Sequence, residues 1–443
     1  MILKLVKILF LLLSLMSLTL ATMAYSMQFA DEGSTIRLHW KTLTIPITLS
    51  DSLTKQNPNI KTGSDVAGAV RRSFETWEKA ANVRFEITTA DKQSISASGK
   101  SGDGASLLTI AQTPENLLLF SGDTEEVSAR TRTFFDRNGF ITEADIVLNP
   151  YEQFSTDGSI GTFDLEATLT HEIGHLLGLE HSSIAGATMF QHQGKNGIYG
   201  LHNFNARTLA EDDISGIRAL YGAKNSDANC CGSINGKLST ASGKAAKDIQ
   251  VWIEETETGR VIAGVLTNSV GNFRIEGLSS GKYSVYAQDS SERKNPTAAQ
   301  TFGEIEISRG KTTNFTKKLK SLAKTFDIQY VGFNGQISQL AVPLNGGKSF
   351  MIYVGGKNLD ADKVTPGFNS PYFTVTPNTI NKLDYGSEIS VISFEIKVNS
   401  VIPNGEYSFY LQTKNREIAY ITGSLTIESF ENPWSSSIFS SVE

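Results

Sequence analysis

Three histidines and a glutamate lie close together in residues 171–181, where the chain reads HEIGHLLGLEH. His171 and His175 are four residues apart, a spacing that puts both imidazoles on one face of a helix, where they can share one metal ion. Glu172 follows the first of them and can reach a water on that ion. Gly178 permits a positive φ that turns the chain, so that His181 can approach the same ion.

Three neutral imidazoles leave one position of a tetrahedral zinc ion open, which is typical of a catalytic site. A structural site is closed by four protein ligands, usually including cysteine. We therefore expect one zinc ion held by His171, His175 and His181, with Glu172 as the general base. The alternative is a helix with satisfied histidines, but five residues at these spacings are expected by chance in on the order of one in ten thousand chains of this length.

The segment resembles the metzincin signature, in which a methionine turn follows the histidines. LAEDDISGIRALYG (residues 209–222) is similar to the last helix of the matrixins, and LHWKTLTIPIT and SFETWEKAANVRFEI are similar to their opening strand, helix and strand. The resemblance covers roughly residues 38–222. It implies a zinc-dependent endopeptidase in which Met189 lies beneath the imidazoles, and in which Asp212 or Asp213 braces that turn.

Matrixins with a second, structural zinc need additional histidines upstream of the motif, whereas only His39 precedes it in this chain. A second zinc is not expected, and the sequence leaves open whether calcium also binds. Cys230 and Cys231 follow the motif, so a cysteine switch is not expected either; a free pair or an intermolecular bond are both open for them, since adjacent cysteines rarely bridge each other. His192 and His202 are predicted to be loop or surface residues.

Three helices are predicted to position the site. The first begins after Ser64, the second runs from an Asp164 cap to Leu177 and carries the motif, and the third covers residues 210–221. Asn138-Gly139 predicts a hairpin between strands at 128–135 and 140–148. By the resemblance, an extended substrate would lie along the first of these strands, which is an edge strand of polar composition. The residues expected to form it are Ala129, Arg130, Thr131, Arg132 and Thr133.

The whole chain of 443 residues, 40% of them hydrophobic, is long enough for several domains. We expect an α+β metzincin catalytic domain, with a mixed twisted sheet and three helices, followed by two all-β sandwich domains. The middle segment SINGKLS to KYSVYA resembles a carboxypeptidase regulatory-like domain, and the last module resembles an immunoglobulin-like domain. The predicted divisions are a signal peptide (1–26), a catalytic domain (27–224), two sandwiches (229–320 and 325–430) and a loose tail (431–443).

The apolar run after Lys4 and Lys7 is too short to span a bilayer and predicts an exported, extracellular protein. The net charge of -6 gives no basic surplus for nucleic acid. The expected function is hydrolysis of peptide bonds in proteins or peptides by a zinc-activated water. The alternative is an extracellular adhesive or scaffolding protein with an inactive or non-peptide-hydrolase metal domain. The β-sandwiches are candidates for binding a surface or matrix component.

Overall fold

The structure is a computed structural model that describes residues 27–31, 35–99, 101–122, 127–202, 207–224, 227–289, 297–386 and 389–428. The predicted signal peptide and the predicted tail lie outside these residues. No helix in the described part of the chain is long and apolar enough to cross a membrane.

The front region, residues 27–224, is built on a mixed sheet with helices, as predicted. Its helices are α1 (Asp51–Thr54), α2 (Val66–Ala80), α3 (Pro114–Leu118), α4 (Leu165–Leu176) and α5 (Glu211–Tyr221). Its strands are β1 (His39–Trp40), β2 (Thr44–Ser50), β3 (Arg84–Ala90), β4 (Leu107–Thr109), β5 (Ala129–Phe135), β6 (Phe140–Leu148), β7 (Phe154–Ser155) and β8 (Phe163–Asp164). The sheet order is β1-β6-β4-β2-β3, all parallel, with β5 antiparallel along the outer side of β6.

Local signals place the three long helices well. Helix α4 begins after Asp164, whose carboxylate accepts a hydrogen bond from the Ala167 amide, as predicted. The predicted cap of α2 is wrong by one residue. Asp65 takes that position because its carboxylate accepts from the Gly68 amide and also pairs with a side chain of the helix, Arg72.

The hairpin predicted at Asn138-Gly139 is present between β5 and β6. The turn is held by Asp136, whose carboxylate accepts hydrogen bonds from the amides of Asn138 and Phe140. Gly139 has a φ of 83°, which favours glycine. Because β6 pairs with β5 on one side and with β4 and β1 on the other, β5 is an edge strand of this sheet.

Helix α4 is buried between α2 and the sheet, and hydrogen bonds from two tryptophan side chains fix its position along its axis. All its residues are buried. The indole of Trp77, on α2, donates a hydrogen bond to the Thr170 carbonyl at 2.8 Å. At the other end, the indole of Trp40 donates to the Leu176 carbonyl at 2.8 Å. The predicted apolar stripes therefore meet in one core, which the two tryptophan indoles hold in register.

Two further β-regions follow. The middle region has strands β9 (Cys230–Ser239), β10 (Ile249–Glu255), β11 (Val261–Leu266), β12 (Asn272–Ser279), β13 (Gly281–Asp289), β14 (Gln300–Ile307) and β15 (Thr312–Lys318). The C-terminal region has strands β16 (Asp327–Phe333), β17 (Gln336–Ser338), β18 (Val342–Leu344), β19 (Ser349–Lys357), β20 (Val364–Phe368), β21 (Phe373–Val375), β22 (Asn381–Leu383), β23 (Ser390–Val398), β24 (Gly405–Thr413) and β25 (Ile418–Ile427).

Each β-region consists of two sheets with an apolar core between them. The middle region pairs a sheet of order β11-β10-β13-β14 with a sheet of order β12-β9-β15. The C-terminal region pairs β17-β16-β19-β23-β21, with β22 on β23, with a sheet of order β18-β25-β24-β20. The structure joins Cys230 to Cys231 in a disulfide at the start of β9, so the expectation that these neighbours do not bridge is wrong.

Buried carboxyl groups lie where the regions meet. Asp212, on α5, accepts a hydrogen bond from the Gly264 amide of the middle region at 2.8 Å. Glu254, on β10, accepts from the Trp252 indole at 2.9 Å and from the side-chain amide of Asn369, in the C-terminal region, at 2.8 Å. Burial raises the pKa of Asp212 to about 7 and the pKa of Glu254 to about 7. Both carboxyl groups therefore keep their protons to a higher pH in the folded chain than a solvent-exposed carboxyl group does.

We predict that the free energy of unfolding of the chain falls as the pH rises from about 6.5 to about 8. A carboxyl with a raised pKa keeps its proton longer in the folded state, so folding loses stability as the pH climbs through the folded pKa of about 7. Below about pH 6.5 the buried His171, whose pKa is lowered by burial, acts in the opposite direction. Urea titrations at several pH values measure the trend.

Glu254→Gln should flatten this fall by roughly 1 kcal/mol across the interval, because it removes one of the titrating groups. Glu257→Gln, at an exposed position of the same region, is the matched control and should leave the slope unchanged. Equal slopes in the wild type and Glu254→Gln would contradict the prediction.

Candidate metal centre

The structure brings the three predicted histidines together. The Nε2 atom of His175 lies 3.1 Å from Nε2 of His171 and 3.2 Å from Nε2 of His181. The possible ligand atoms of the three side chains all lie within 4.8 Å of one another. His171 and His175 share one face of α4, and His181 returns to them after the helix ends.

The donor set fits a metal ion. Nδ1 of His171 lies 2.7 Å from the Thr188 carbonyl, and Nδ1 of His175 lies 2.9 Å from the Leu179 carbonyl. A carbonyl only accepts, so each Nδ1 carries the proton and each Nε2 presents a lone pair. Burial, followed by the neighbouring imidazoles, lowers the pKa of His171 well below its ordinary value and keeps the ring neutral. Tetrahedral zinc with bonds of about 2.0–2.1 Å places its ligand nitrogens about 3.3 Å apart, close to the observed spacing.

Gly178 makes the return of the chain possible. Its φ is 97°, as the sequence predicted. A Cβ atom at this position would lie 2.2 Å from the Leu38 carbonyl oxygen, so both the conformation and the space require glycine. The Gly178 carbonyl accepts a hydrogen bond from the Gln28 amide at 2.8 Å, which fixes the turn against the amino-terminal segment.

Both aspartates at the start of α5 act as braces, where the resemblance implied one. The carboxylate of Asp213 accepts from the amides of Thr188 and Met189 at 2.8 and 3.1 Å and so holds the turn whose carbonyl orients the His171 ring. Asp212 accepts from the hydroxyl of Ser182, next to the third histidine, at 2.6 Å. Burial raises the pKa of Asp213 to about 6.

Met189 is 1% exposed and packs against helix α4. A Cβ atom added to Gly174 would lie 2.2 Å from the Met189 sulfur and 2.9 Å from the Trp77 ring, so the methionine occupies the space that this glycine leaves. Met189 therefore contacts the backbone of the helix between the first two histidines. Its expected place beneath the imidazoles stays a prediction.

Glu172 lies beside the histidines and is held by the edge strand. The hydroxyl of Thr131 donates a hydrogen bond to the Glu172 carboxylate at 2.5 Å. Burial raises the pKa of Glu172, and the Thr131 hydrogen bond acts in the opposite direction. The carboxyl group is thus fixed in position by a residue that sequence reasoning assigned only to substrate binding.

An open cleft of about 670 Å³ runs over the three histidines and Glu172. One wall is the edge strand and the other is the segment Gln191–Gln193. Of the five residues predicted for the substrate strand, Thr133 is outside the cleft, whereas four line it: Ala129, Arg130, Thr131 and Arg132. Gln193 joins the second wall to the edge-strand side, because its side-chain oxygen accepts from Ser128 at 2.7 Å and lies 3.4 Å from the Thr168 hydroxyl.

Sequence reasoning missed Gln28 and Gln193 as cleft residues and Thr131 as the partner of Glu172. The alternation of β5 carried a signal for Thr131, since alternate residues of an edge strand face the helix beneath it. His192 is in the second wall of the cleft, His202 is exposed, and His39 packs on Phe140 of β6. Within the described residues, none of these three joins the histidine cluster.

Two protein families match parts of the chain. Residues 39–222 match the matrixin family, and residues 233–320 match the carboxypeptidase regulatory-like domain. A metalloendoproteinase 1 from Glycine max is 30% identical over 38% of this chain and 48% of its own length. A metalloendoproteinase 1-MMP from Arabidopsis thaliana is 31% identical over 36% of this chain and 39% of its own length.

The chain thus spans less than half of the length of these two curated relatives. Among solved structures, the major pilin subunit BcpA of Bacillus cereus is 15% identical over 43% of this chain and 67% of its own, with a TM-score of 0.19. The matches and the histidine geometry agree for the front region. The chain carries a matrixin domain, followed by a carboxypeptidase regulatory-like domain.

Proposed function

We propose that this protein is a zinc-dependent endopeptidase. The observation that carries the proposal is the convergence of three Nε2 atoms beside a buried glutamate in an open cleft. His171, His175 and His181 would hold the ion. Glu172 would act as general base, since its carboxylate forms no hydrogen bond to an Nε2 atom among the described residues. The matrixin match of residues 39–222 supports this assignment.

When bound, zinc supplies a Lewis acid that polarises the scissile carbonyl and lowers the pKa of a water towards about 7. Glu172 takes a proton from the attacking water and passes it to the leaving amine. Thr131 keeps the Glu172 carboxylate in place through its hydroxyl. The Thr188 and Leu179 carbonyls keep the first two imidazoles in the tautomer that leaves Nε2 unprotonated.

The substrate is proposed to bind as an added strand along β5. Its outer side has no partner strand in the described sheet, so its backbone groups are available to an extended peptide. The side chains of Ala129, Arg130, Thr131 and Arg132 line the cleft at this edge. Main-chain pairing there would place a peptide bond over the three imidazoles.

We further propose that the protein is exported through the apolar leader 1–26, and that the regions described above are domains with boundaries near residues 224–229 and 320–325. Each boundary falls between elements of the structure, since α5 ends at Tyr221 and β9 begins at Cys230, whereas β15 ends at Lys318 and β16 begins at Asp327. Binding of a surface or matrix component by the β-regions stays a prediction, as does calcium.

Substitutions of Glu172 and His175 separate the two proposed roles. Glu172→Gln should hold zinc and fold as the wild type does, yet lose about a hundred-fold to ten-thousand-fold in the rate of peptide hydrolysis. His175→Ala should lose zinc as well as activity, because two imidazoles hold the ion poorly. Elemental analysis after dialysis gives the zinc content, with one ion per wild-type chain expected, and a peptide library read by mass spectrometry, with and without chelator, gives the activity.

Full, chelator-sensitive activity in zinc-loaded Glu172→Gln would show that Glu172 is not the base. A wild type that holds zinc but cleaves no peptide in a broad library would favour the scaffold or the non-peptide hydrolase. Two zinc ions per chain would contradict the single site.

Thr131→Val tests the positioning of the base. Removing the hydroxyl takes away a hydrogen bond to a charged group, worth about 1.5–3 kcal/mol, so we expect kcat to fall about ten-fold to a hundred-fold with KM little changed. Thr133→Val is a matched control on the same strand, because the buried Thr133 hydroxyl has no hydrogen-bond partner among the described residues and lies outside the cleft. Steady-state kinetics of both variants provide the measurement.

Thr133→Val should keep the wild-type kcat. If both variants lose activity equally, the effect comes from strand β5 as a whole and the role given to Thr131 is wrong. Thr131→Ser should restore most of the rate, since it returns the donor without the methyl group.

A further inference from the structure

The second wall of the cleft, residues 191–193, faces the C-terminal region across a small cavity. His192 and Gln193 line the cleft over the histidines and also line a small cavity of about 60 Å³ on the opposite side. The other side of that cavity is formed by Leu340, Thr426 and Glu428 of the C-terminal region. The wall is therefore one segment thick, with the proposed substrate site before it and β25 behind it.

Contacts to the C-terminal region also lie on both sides of the wall along the chain. Before it, the Ala185 amide donates to the Thr422 carbonyl at 3.0 Å. Gly186 is so close to β24 and β25 that a Cβ atom there would lie 2.7 Å from both the Glu406 side chain and the Gly423 carbonyl. After the wall, residues 198–201 enter the core of the C-terminal region.

Tyr199 is the centre of this second contact. Its side chain is 0% exposed and belongs to the hydrophobic core of the C-terminal region, although it lies in the loop between the Met189 turn and helix α5. Its hydroxyl lies 2.7 Å from the Ser338 hydroxyl, and it lies 3.1 and 2.9 Å from the carbonyls of Val331 and Leu340. The ring and the hydroxyl are thus both fixed by a different part of the chain.

The backbone of Tyr199 is held as firmly as its side chain. Its amide donates to the Gln336 side-chain oxygen at 2.6 Å, and its carbonyl accepts from the Asn334 side-chain amide at 2.9 Å. Its φ of 58° is uncommon for a non-glycine residue and persists where the surroundings determine it. Leu201, two residues on, is 2% exposed in the same core.

We propose that the C-terminal region sets the shape of the cleft, with Tyr199 as the positioning residue that fixes the wall at residues 191–193. A substrate side chain that extends from the scissile bond towards this wall would meet a surface whose position depends on the docked tyrosine. The C-terminal region would then contribute to substrate selection without contacting the substrate. This inference rests on the proposed endopeptidase function.

The test uses the full chain with Tyr199→Phe and Tyr199→Ala. Phenylalanine keeps the ring packing and removes the hydroxyl contacts, whereas alanine removes both. In hydrogen–deuterium exchange, peptides covering residues 190–202 should exchange faster than in the wild type, and more so for alanine. In the peptide library, preference should broaden at the one substrate position that meets the wall, with kcat/KM for the best wild-type peptide falling about ten-fold to a hundred-fold, mainly through KM.

Tyr407→Phe and Tyr407→Ala are the matched controls. Tyr407 is another 0% exposed tyrosine of the same core, and its hydroxyl donates to the Pro403 carbonyl at 2.7 Å. These variants should lower the stability of the C-terminal region to a similar degree, while exchange at 190–202 and the cleavage preference stay as in the wild type. Zinc content should match the wild type in all four variants.

Unchanged exchange at 190–202 in both Tyr199 variants would overturn the inference. So would faster exchange with an unchanged cleavage preference, or equal effects from the Tyr407 controls. If Tyr199→Ala does not fold, Tyr199→Phe decides. If the wild type cleaves nothing, the proposed function fails separately, and exchange alone decides whether Tyr199 holds the wall.

Discussion

At the carboxyl end of helix α4, two carbonyl groups accept hydrogen bonds from aromatic side chains instead of from the next turn of the helix. Trp40 donates to Leu176, and the hydroxyl of Tyr221 donates to Leu177 at 2.6 Å. These bonds satisfy carbonyls that every helix end leaves without an intrahelical partner. They also fix where the chain leaves the helix, so that Gly178 can turn it with positive φ. The position of the third imidazole depends on this fixed end.

Buried carboxyl groups extend that constraint to the rest of the site. Asp213 accepts hydrogen bonds from amides of the turn after the third histidine. Asp212 accepts them from the Ser182 hydroxyl and from the Gly264 amide of the middle region. Each carboxyl is buried, which costs free energy unless its oxygens are well bonded. Burial, and for Asp212 the neighbouring Asp213, raises the pKa of both groups. The two carboxyl groups therefore fix the positions of the segments around the histidines but lower the free energy of unfolding. This balance is common where a site must be held in one arrangement.

The sequence predicted what local signals determine. The HEIGHLLGLEH spacing, the Asp164 cap and the Asn138-Gly139 turn each depend on residues a few positions apart, and the structure has all three. The cap of α2 was missed by one residue because two adjacent residues can both cap, and the choice depends on a bond to Arg72. The alternation of β5 indicated which way Thr131 faces but not that its partner is Glu172, 41 positions away, and no local pattern placed Gln193 against Ser128.

Tyr199 illustrates the same limit more sharply. In the sequence it is an ordinary loop residue between Gly197 and Gly200, and nothing nearby predicts burial. Its partners begin more than a hundred positions later, at Val331, so only the tertiary fold makes it part of a core. From the sequence alone, a hydrophobic residue in a loop between two glycines is predicted to be exposed, because loops run over the surface unless another region covers them.

The contacts between the regions bear on what the β-regions do. On helix α5, Asp213 accepts a hydrogen bond from the Met189 turn and Asp212 accepts one from the middle region, so adjacent residues of one helix contact both. The C-terminal region contacts the same turn through Ala185. Spacer domains on flexible linkers would leave these backbone groups to water. Their hydrogen bonds instead hold both β-regions against the front region next to the histidine cluster.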